Sequence, residues 1–318
     1  MKLKSLYEFA IKQGIELDPR GKDTVLKTLA QAKKDYDALK DEDKKDFDKE
    51  KLNNPYNDTR LLCGQPDKEI RTILAGIDME VGEVLLADRL RDKGKKIDLV
   101  MAHHPEGKAL AGFYEVMRMQ ADILNKMGVP ITVADDLLAE RIAEVERRVL
   151  SLNHTRAVDV AKILDLAFIC VHTPSDNCVT SYLQKLMDKK KPDFLGDIMK
   201  ILTEIPEYNL ARENNAGPKI LIGDKNKRTG KIFVEMTGGT EGSKDIFGRL
   251  SQAGVGTLVL MHLSEEHFKK VKEEHINVVI AGHIASDTLG LNLLLDELEK
   301  KERINILTCS GFQRIKHS

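Results

Sequence analysis

From residue 71 onward, short apolar runs rich in β-branched residues alternate with segments of helical period, and this alternation constrains the fold more than any other feature of the chain. RTILAGID is followed by MEVGEVLLADRLRDKG, in which Val81, Val84, Leu85 and Leu90 share one helical stripe, and then by the run IDLVMA. Parallel strands buried on both faces read as near-continuous apolar runs, so this is a βαβ unit. The apolar run VPITVAD, helices over 137–150 and 155–165, the strand LAFICVH and the helix NCVTSYLQKLMDKK extend the pattern. It breaks at KKKPDFLGD and PEYNLARENNAGP and then resumes. KILIG and KIFVEM are expected to pair as an antiparallel hairpin around DKNKRTG. A glycine cluster, a helix near 243–253, the strand GTLVLMH, the helix SEEHFKKVKEEH, the strand NVVIAGH, the helix TLGLNLLLDELEKK and a last strand INILTC follow.

The expected fold is therefore α/β and two-lobed, with mixed sheets flanked by helices. Residues 67–190 form the first lobe, 191–217 a connecting segment and 218–318 the second lobe. Residues 1–66 are rich in lysine and aspartate and read as a helical N-terminal extension with a solvated charged face. No repeat links the two halves.

Three segments share one design, in which an apolar strand stops and metal-type ligands follow at once: LVMAHHP, FICVHTPSD and VVIAGHIASD. In open α/β sheets ligands bind beyond the carboxyl ends of the strands, so residues placed there converge on a crevice. The candidates are His103, His104, His172, Asp176, His283 and Asp287. Successive side chains of a strand point to opposite faces, so adjacent histidines can share a pocket only where the pleat has ended, and Pro105 marks that end. A mixed His/Asp shell suits Zn²⁺, Fe²⁺, Mn²⁺ or Co²⁺ without choosing among them. Taken singly, Asp176 and Asp287 read equally well as N-caps of the helices that follow. The cluster 237-TGGTEGSKD-245 matches neither GxGxxG nor the phosphate-loop pattern, and a tight turn needing positive φ explains it as readily as an anion site. His262 could approach the same pocket, whereas His267 and His275 read as solvated.

These segments resemble the Nif-three-like family, the GTP cyclohydrolase I type 2-like dinuclear metal proteins. The likeness covers roughly residues 70–316 and rests on 103-HHP-105, 172-HTPSD-176 and 281-AGHIASD-287, in that order. It implies a two-lobed fold with a dinuclear site in the cleft between lobes, and assembly as a homohexamer. Carried over by position, His103, His104, Asp176 and His283 are ligands, and His172 is a ligand or a partner of one. Asp287 stands where the family usually has glutamate, one methylene longer. EGK after HHP replaces the family's apolar residues, and the N-terminal helices have no counterpart in the family core.

The resulting expectation is a metal-dependent hydrolase that acts on a nucleotide or related heterocycle or phosphoester through a hydroxide bridging two divalent ions. His172, His262 and Glu106 are candidates to move protons. The alternative is a non-catalytic metal-binding scaffold or regulatory protein. A small-molecule substrate and self-association are the expected partners. A formal net charge of −1 supplies no global field for nucleic acid or an anionic membrane. Cys63, Cys170, Cys178 and Cys309 are scattered without a CxxC pair, as in reduced cytoplasmic proteins, and neither an export signal nor a long apolar run is evident.

Overall fold

The computed structural model describes residues 1–317. The chain begins with helices α1 (Leu3–Leu17) and α2 (Lys22–Ala38), then forms strand β1 (Thr59–Cys63), β2 (Thr72–Gly76), α3 (Val81–Asp92) and β3 (Leu99–Ala102). Four helices follow, α4 (Gly107–Ala111), α5 (Met119–Met127), α6 (Ile131–Leu150) and α7 (Arg156–Ile163), leading to β4 (Ala167–Val171) and α8 (His172–Lys190). Next come α9 (Leu195–Thr203), α10 (Pro206–Glu213), β5 (Lys219–Ile222), β6 (Lys231–Glu235), α11 (Phe247–Gln252) and β7 (Val255–Leu260). The chain closes with α12 (Glu265–Glu273), β8 (Asn277–Ile280), α13 (His283–Glu299) and β9 (Asn305–Thr308).

The strands form two mixed sheets, ordered β1-β4-β3-β2-β9 and β5-β8-β7-β6. In each sheet one edge strand, β1 or β5, runs antiparallel to its neighbour, and every other pairing is parallel. Side-chain alternation sorts the strands into layers. Ile73, Ala75, Leu99, Met101, Ile169 and Val171 enter one core with α1 and the Leu291–Leu298 part of α13, while Leu74, Val100, Phe168 and Cys170 face α3 and α7. In the second sheet Val234, Val259 and Val279 meet Val179, Leu183 and Met187 of α8, together with Leu289 of α13. Phe233, Leu258 and Val278 face the opposite way, toward α5, α6, α11 and Val271 of α12. Helices α8 and α13 are thus clamped between the sheets, one face in each lobe's core.

Those two helices approach closely because of Gly290. A Cβ at that position would lie 2.4 Å from the carbonyl oxygen of Ser175 on α8. Gly290 shares a face with Asp287 and His283, at helical spacings of three and seven. The same close contact therefore brings the polar first turns of both helices together.

Several expectations are corrected. KILIG and KIFVEM do not form a hairpin: β5 and β6 occupy opposite edges of their sheet, because β7 and β8 pair in parallel and fill the space between them. VPITVAD belongs to α6, whose apolar residues Ala134, Leu138, Ile142, Val145 and Val149 recur at helical spacing and are buried. The segment 191–217 contains α9 and α10, which pack Ile198, Leu202 and Tyr208 into the second core. INILTC is β9, hydrogen-bonded in parallel to β2 of the first sheet, so the end of the chain returns to the first lobe. Within residues 1–66, β1 is a strand of the first sheet, and α1 buries Leu3, Leu6, Phe9 and Ala10 in its core. Helix α2, with Val25 as its one buried residue, and the short 3-10 turns Asp43–Lys45 and Lys49–Leu52, which bury none, match the solvated extension that the charge pattern suggests. On α3 the buried residues are Val84 and Ala87, and Leu85 is exposed.

Gly290→Ala should lower the unfolding free energy by about 1–3 kcal/mol, since the added methyl must displace helix backbone. Gly82→Ala, where an added Cβ meets nothing within 4 Å, serves as the control. Urea unfolding of the two variants checks the difference.

Candidate metal centre

Each sequence candidate reaches one cluster at the carboxyl ends of the first sheet's central strands. Beyond Ala102 the amides of His103 and His104 donate to the carbonyls of Gly76 and Ile77 at 2.9 and 3.0 Å. The two histidines therefore stay tied to β2 although the strand has ended. His103 is fully buried and His104 partly so. Helix α8 starts at His172 itself, directly after β4, and Pro174 is tolerated there because first-turn amides lack helical partners. Helix α13 starts at His283, preceded by Gly282 at φ +112°, a conformation suited to glycine. Asp176 and Asp287 are consequently not N-caps. Each lies one turn inside its helix, on the same face as the histidine four residues earlier, with which it pairs at 3.7 Å and 3.5 Å.

The carboxylate of Asp287 is the hub. Its Oδ1 lies 3.4 Å from His103 Nε2, and its Oδ2 lies 3.4 Å from His104 Nε2 and 3.5 Å from His283 Nε2. Asp176 Oδ1 is likewise 3.4 Å from His103 Nε2. Donors about 2.1 Å from a shared ion at the tetrahedral angle stand roughly 3.4 Å apart, so this spacing is that of a coordination shell's edges. Among the described residues, the buried atoms His103 Nε2, Asp176 Oδ1 and both Asp287 oxygens have no hydrogen-bond partner. Buried polar atoms are nearly always satisfied, and a cation would satisfy these in common. The donor groups that could hold an ion are His103/His104/His172, His104/His283/Asp287 and His103/Asp176/Asp287.

Two carboxylates absent from the candidate set orient the imidazoles. Asp78 Oδ1 lies 2.7 Å from His104 Nδ1, and Asp58 Oδ2 lies 2.8 Å from His172 Nδ1 while accepting from Thr173 Oγ1 at 2.6 Å. A carboxylate on the far nitrogen turns Nε2 toward the site and raises its basicity, the usual support for a metal-binding histidine. Asp78 follows β2 and obeys the same strand-end rule that selects the histidines. Asp58 precedes β1, and only the antiparallel pairing of Thr59 with Val171 brings it beside His172.

Charge is distributed unevenly over the cluster. Burial holds the His103 imidazole down to about 4, which leaves it neutral, the form that coordinates. Burial also lowers His283. For His172 the pull of burial is outweighed by Asp176 and Asp58, which raise it to about 9. For His104 the adjacent carboxylate of Asp287 likewise overcomes burial and raises it. Burial pushes Asp176 well above the usual carboxylate range, whereas the surrounding imidazoles overcome burial at Asp287 and hold it ionised.

The second lobe supplies the facing wall. A pocket opening onto His172, Asp176, His283 and Asp287 is also lined by Glu235, Glu241 and His262. The His262 ring lies 4.9 Å from that of His283 and pairs with Glu241 at 3.7 Å. Glycines 238 and 239 have φ of +96° and +89°, as the tight-turn reading requires. His267 is not solvated: it is buried, with Nδ1 bonded to Ser264 and Nε2 to the carbonyl of Gly242. Glu106, raised to about 7 by burial and by Glu80, is not among the residues lining this pocket.

The chain is an α/β scaffold carrying a His/Asp cluster that could hold a metal at the junction of two mixed sheets, and solved structures share its architecture. The crystal structure of a NIF3 superfamily protein from Sphaerobacter thermophilus matches with TM-score 0.69 and 26% identity, over 80% of this chain and 92% of that one. Reduced HcgD from Methanocaldococcus jannaschii matches with TM-score 0.48 and 16% identity, over 80% and 89% of the two chains. A protein from Thermus thermophilus does so with TM-score 0.43 and 14% identity, over 79% and 86%. No protein-family profile matches, nor does any curated protein. The Sphaerobacter likeness supports assigning the chain to the Nif-three-like family that its HHP, HTPSD and AGH segments resemble.

The histidine balance predicts a pH effect in metal-free protein. His172 is raised in the folded state above the ordinary 6.5, so its contribution to stability is full below about pH 6.5 and lost as pH rises through about 9. Asp58→Asn should lower the His172 titration and shift that window downward. Imidazole NMR titration of metal-free wild type and variant measures it directly.

Proposed function

We propose that the chain is a dinuclear divalent-metal protein and a metal-dependent hydrolase, acting on a nucleotide or related heterocycle or phosphoester. The observation that carries this reading is the set of buried, unpartnered donors around Asp287. The two oxygens of that carboxylate face different partners. Oδ1 faces His103, beside Asp176, and Oδ2 faces His104 and His283. One ion would be held by His103, Asp176 and Asp287 and the other by His104, His283 and Asp287, with His172 adjoining. The shorter aspartate would suffice for this because α13 enters the cleft at its first turn, close against α8.

Two such ions, of Zn, Fe, Mn or Co, supply Lewis acidity toward a substrate oxygen and make water acidic enough to attack at neutral pH. The protein's own groups bind, orient and move protons. Asp58 and Asp78 fix the imidazoles of His172 and His104, and the facing lobe lines one side of the pocket. His262, raised by its pairing with Glu241, stands where a proton could be passed to a leaving group. The GTP cyclohydrolase-like activity rests on the family resemblance. The reading includes a cytoplasmic homo-oligomer, a hexamer by the same resemblance. Four free cysteines are in keeping with a reducing compartment, and among the described residues no helix is long and apolar enough to cross a membrane.

Elemental analysis of protein purified without chelator should find two metal equivalents per chain, falling to background in Asp287→Ala and to about one in His283→Ala. Turnover screened with Mn²⁺, Zn²⁺ or Fe²⁺ against nucleotides and phosphoesters should be abolished by His104→Ala with the circular dichroism unchanged. Background metal in the wild type sinks the reading. Full occupancy without turnover across the panel turns it into the scaffold alternative, and light scattering decides the hexamer.

A further inference from the structure

The first turn of α8, which carries His172 and Asp176, is also held by the N-terminal segment. A Cβ on Gly14 of α1 would lie 3.0 Å from the Cα of Pro174 and 2.9 Å from the ring of Tyr56, so α1 rests directly on this turn. Asn177, the residue after Asp176, is tied in two directions. Its Nδ2 donates to the carbonyl of Gly14 at 3.0 Å and lies 3.3 Å from the Tyr56 hydroxyl, which donates to Asp18 Oδ2 at 2.9 Å. Arg20 grips the same carboxylate through Nε and Nη2, at 3.0 and 2.9 Å. On the other side, Asn177 Oδ1 accepts from Thr237 Oγ1 at 2.7 Å. Thr237 opens the glycine turn of the second lobe and lines the pocket beside the metal centre. Asp18, Arg20, Tyr56, Asn177 and Thr237 are all buried.

These hydrogen bonds run in one direction, from Thr237 through Asn177 and Tyr56 to the ion pair of Asp18 with Arg20, and bonds in such a chain polarise one another. None of the groups is among the candidate donors to an ion, so their contribution is placement. Metal ligands work only when held within about 0.5 Å of their productive positions. We propose that Asn177 is a positioning residue of the metal centre, through which the N-terminal segment and the glycine turn together fix the setting of Asp176 and His172. The inference rests on the reading of the cluster as a metal site, and it gives residues 1–58 a part in that site beyond the direct bond of Asp58 to His172. Without the Thr237 hydroxyl, Asn177 Oδ1 is left buried and unpaired, and the first turn of α8 shifts to satisfy it. The glycine turn stays folded in that case, because Gln120 Nε2 also donates to the carbonyls of Gly238 and Thr240, each at 2.7 Å.

Titration of the whole metal-free chain with Co²⁺, followed by visible absorption, tests this. Thr237→Val should weaken Co²⁺ binding about tenfold, the lower end of what losing a residue that supports metal ligands costs, and should alter the ligand-field bands. Thr237→Ser should restore both. Tyr56→Phe, which keeps the ring and removes the hydroxyl, should move them in the same direction. Thr257→Val is the control: that hydroxyl is also buried and donates to the carbonyl of Thr229 at 2.6 Å, but it lies toward the amino end of β7 and does not line the pocket. It should lower the melting temperature comparably and leave Co²⁺ affinity and spectrum at their wild-type values. Wild-type affinity and spectrum in both Thr237→Val and Tyr56→Phe overturn the inference, as does an equal shift in Thr257→Val. Failure of the metal reading is seen separately: wild type that takes up no Co²⁺ sinks that reading and this inference with it.

Discussion

The contact on which the site depends is the close approach of α8 and α13. Both helices follow parallel strands, one from each sheet, and both are buried on two sides. The absent side chain of Gly290 lets α13 settle against the carbonyl of Ser175. Each helix carries a histidine and an aspartate one turn apart near its start. Bringing the helices together therefore sets His172 and Asp176 opposite His283 and Asp287, with the floor supplied by His103 and His104 from the end of β3. Apolar packing farther along the helices, at Val179, Leu183, Leu289, Leu291 and Leu295, offsets the cost of gathering these polar groups.

The arrangement also explains how a small carboxylate can be the hub. Asp287 is nearly inaccessible, is surrounded by the imidazoles of His103, His104 and His283, and has no hydrogen-bond partner for either oxygen among the described residues. Buried charge is tolerated only when compensated, and the surrounding imidazoles compensate it in part. A shared cation would complete the compensation, and the spacing of the donor atoms suits one. Asp58 and Asp78 act from outside this group by fixing which way two of the rings face.

Much of this is legible in the chain itself. Strands β2, β3, β4, β7 and β8 are expected from apolar runs, and the strand-end histidines and aspartates do gather at one place. The departures share a cause. Edge strands pair according to competition within a sheet, so β5 and β6 resemble a hairpin because their sequence separation is short. The strand β9 resembles part of the nearest lobe, although its partner β2 lies far back in the chain. Helix α1 carries enough surface charge to resemble an appendage, yet its apolar face completes the first core. His267 reads as solvated among charged neighbours because nothing local reveals the carbonyl of Gly242.

Local pattern alone identifies the residues that stand at the ends of buried strands, because apolar periodicity and the break at Pro105 are properties of short segments. It also sets the two His-x-x-x-Asp segments just ahead of helices, which in fact begin one turn earlier, at the histidines themselves. Long-range packing settles the rest: that Asp287, and not Asp176, takes the central position, and that Asp58 supports His172. Those outcomes depend on strand order and on the distance between two helices. They are set by contacts between segments more than a hundred residues apart, as between Asp58 and His172, which no local pattern records.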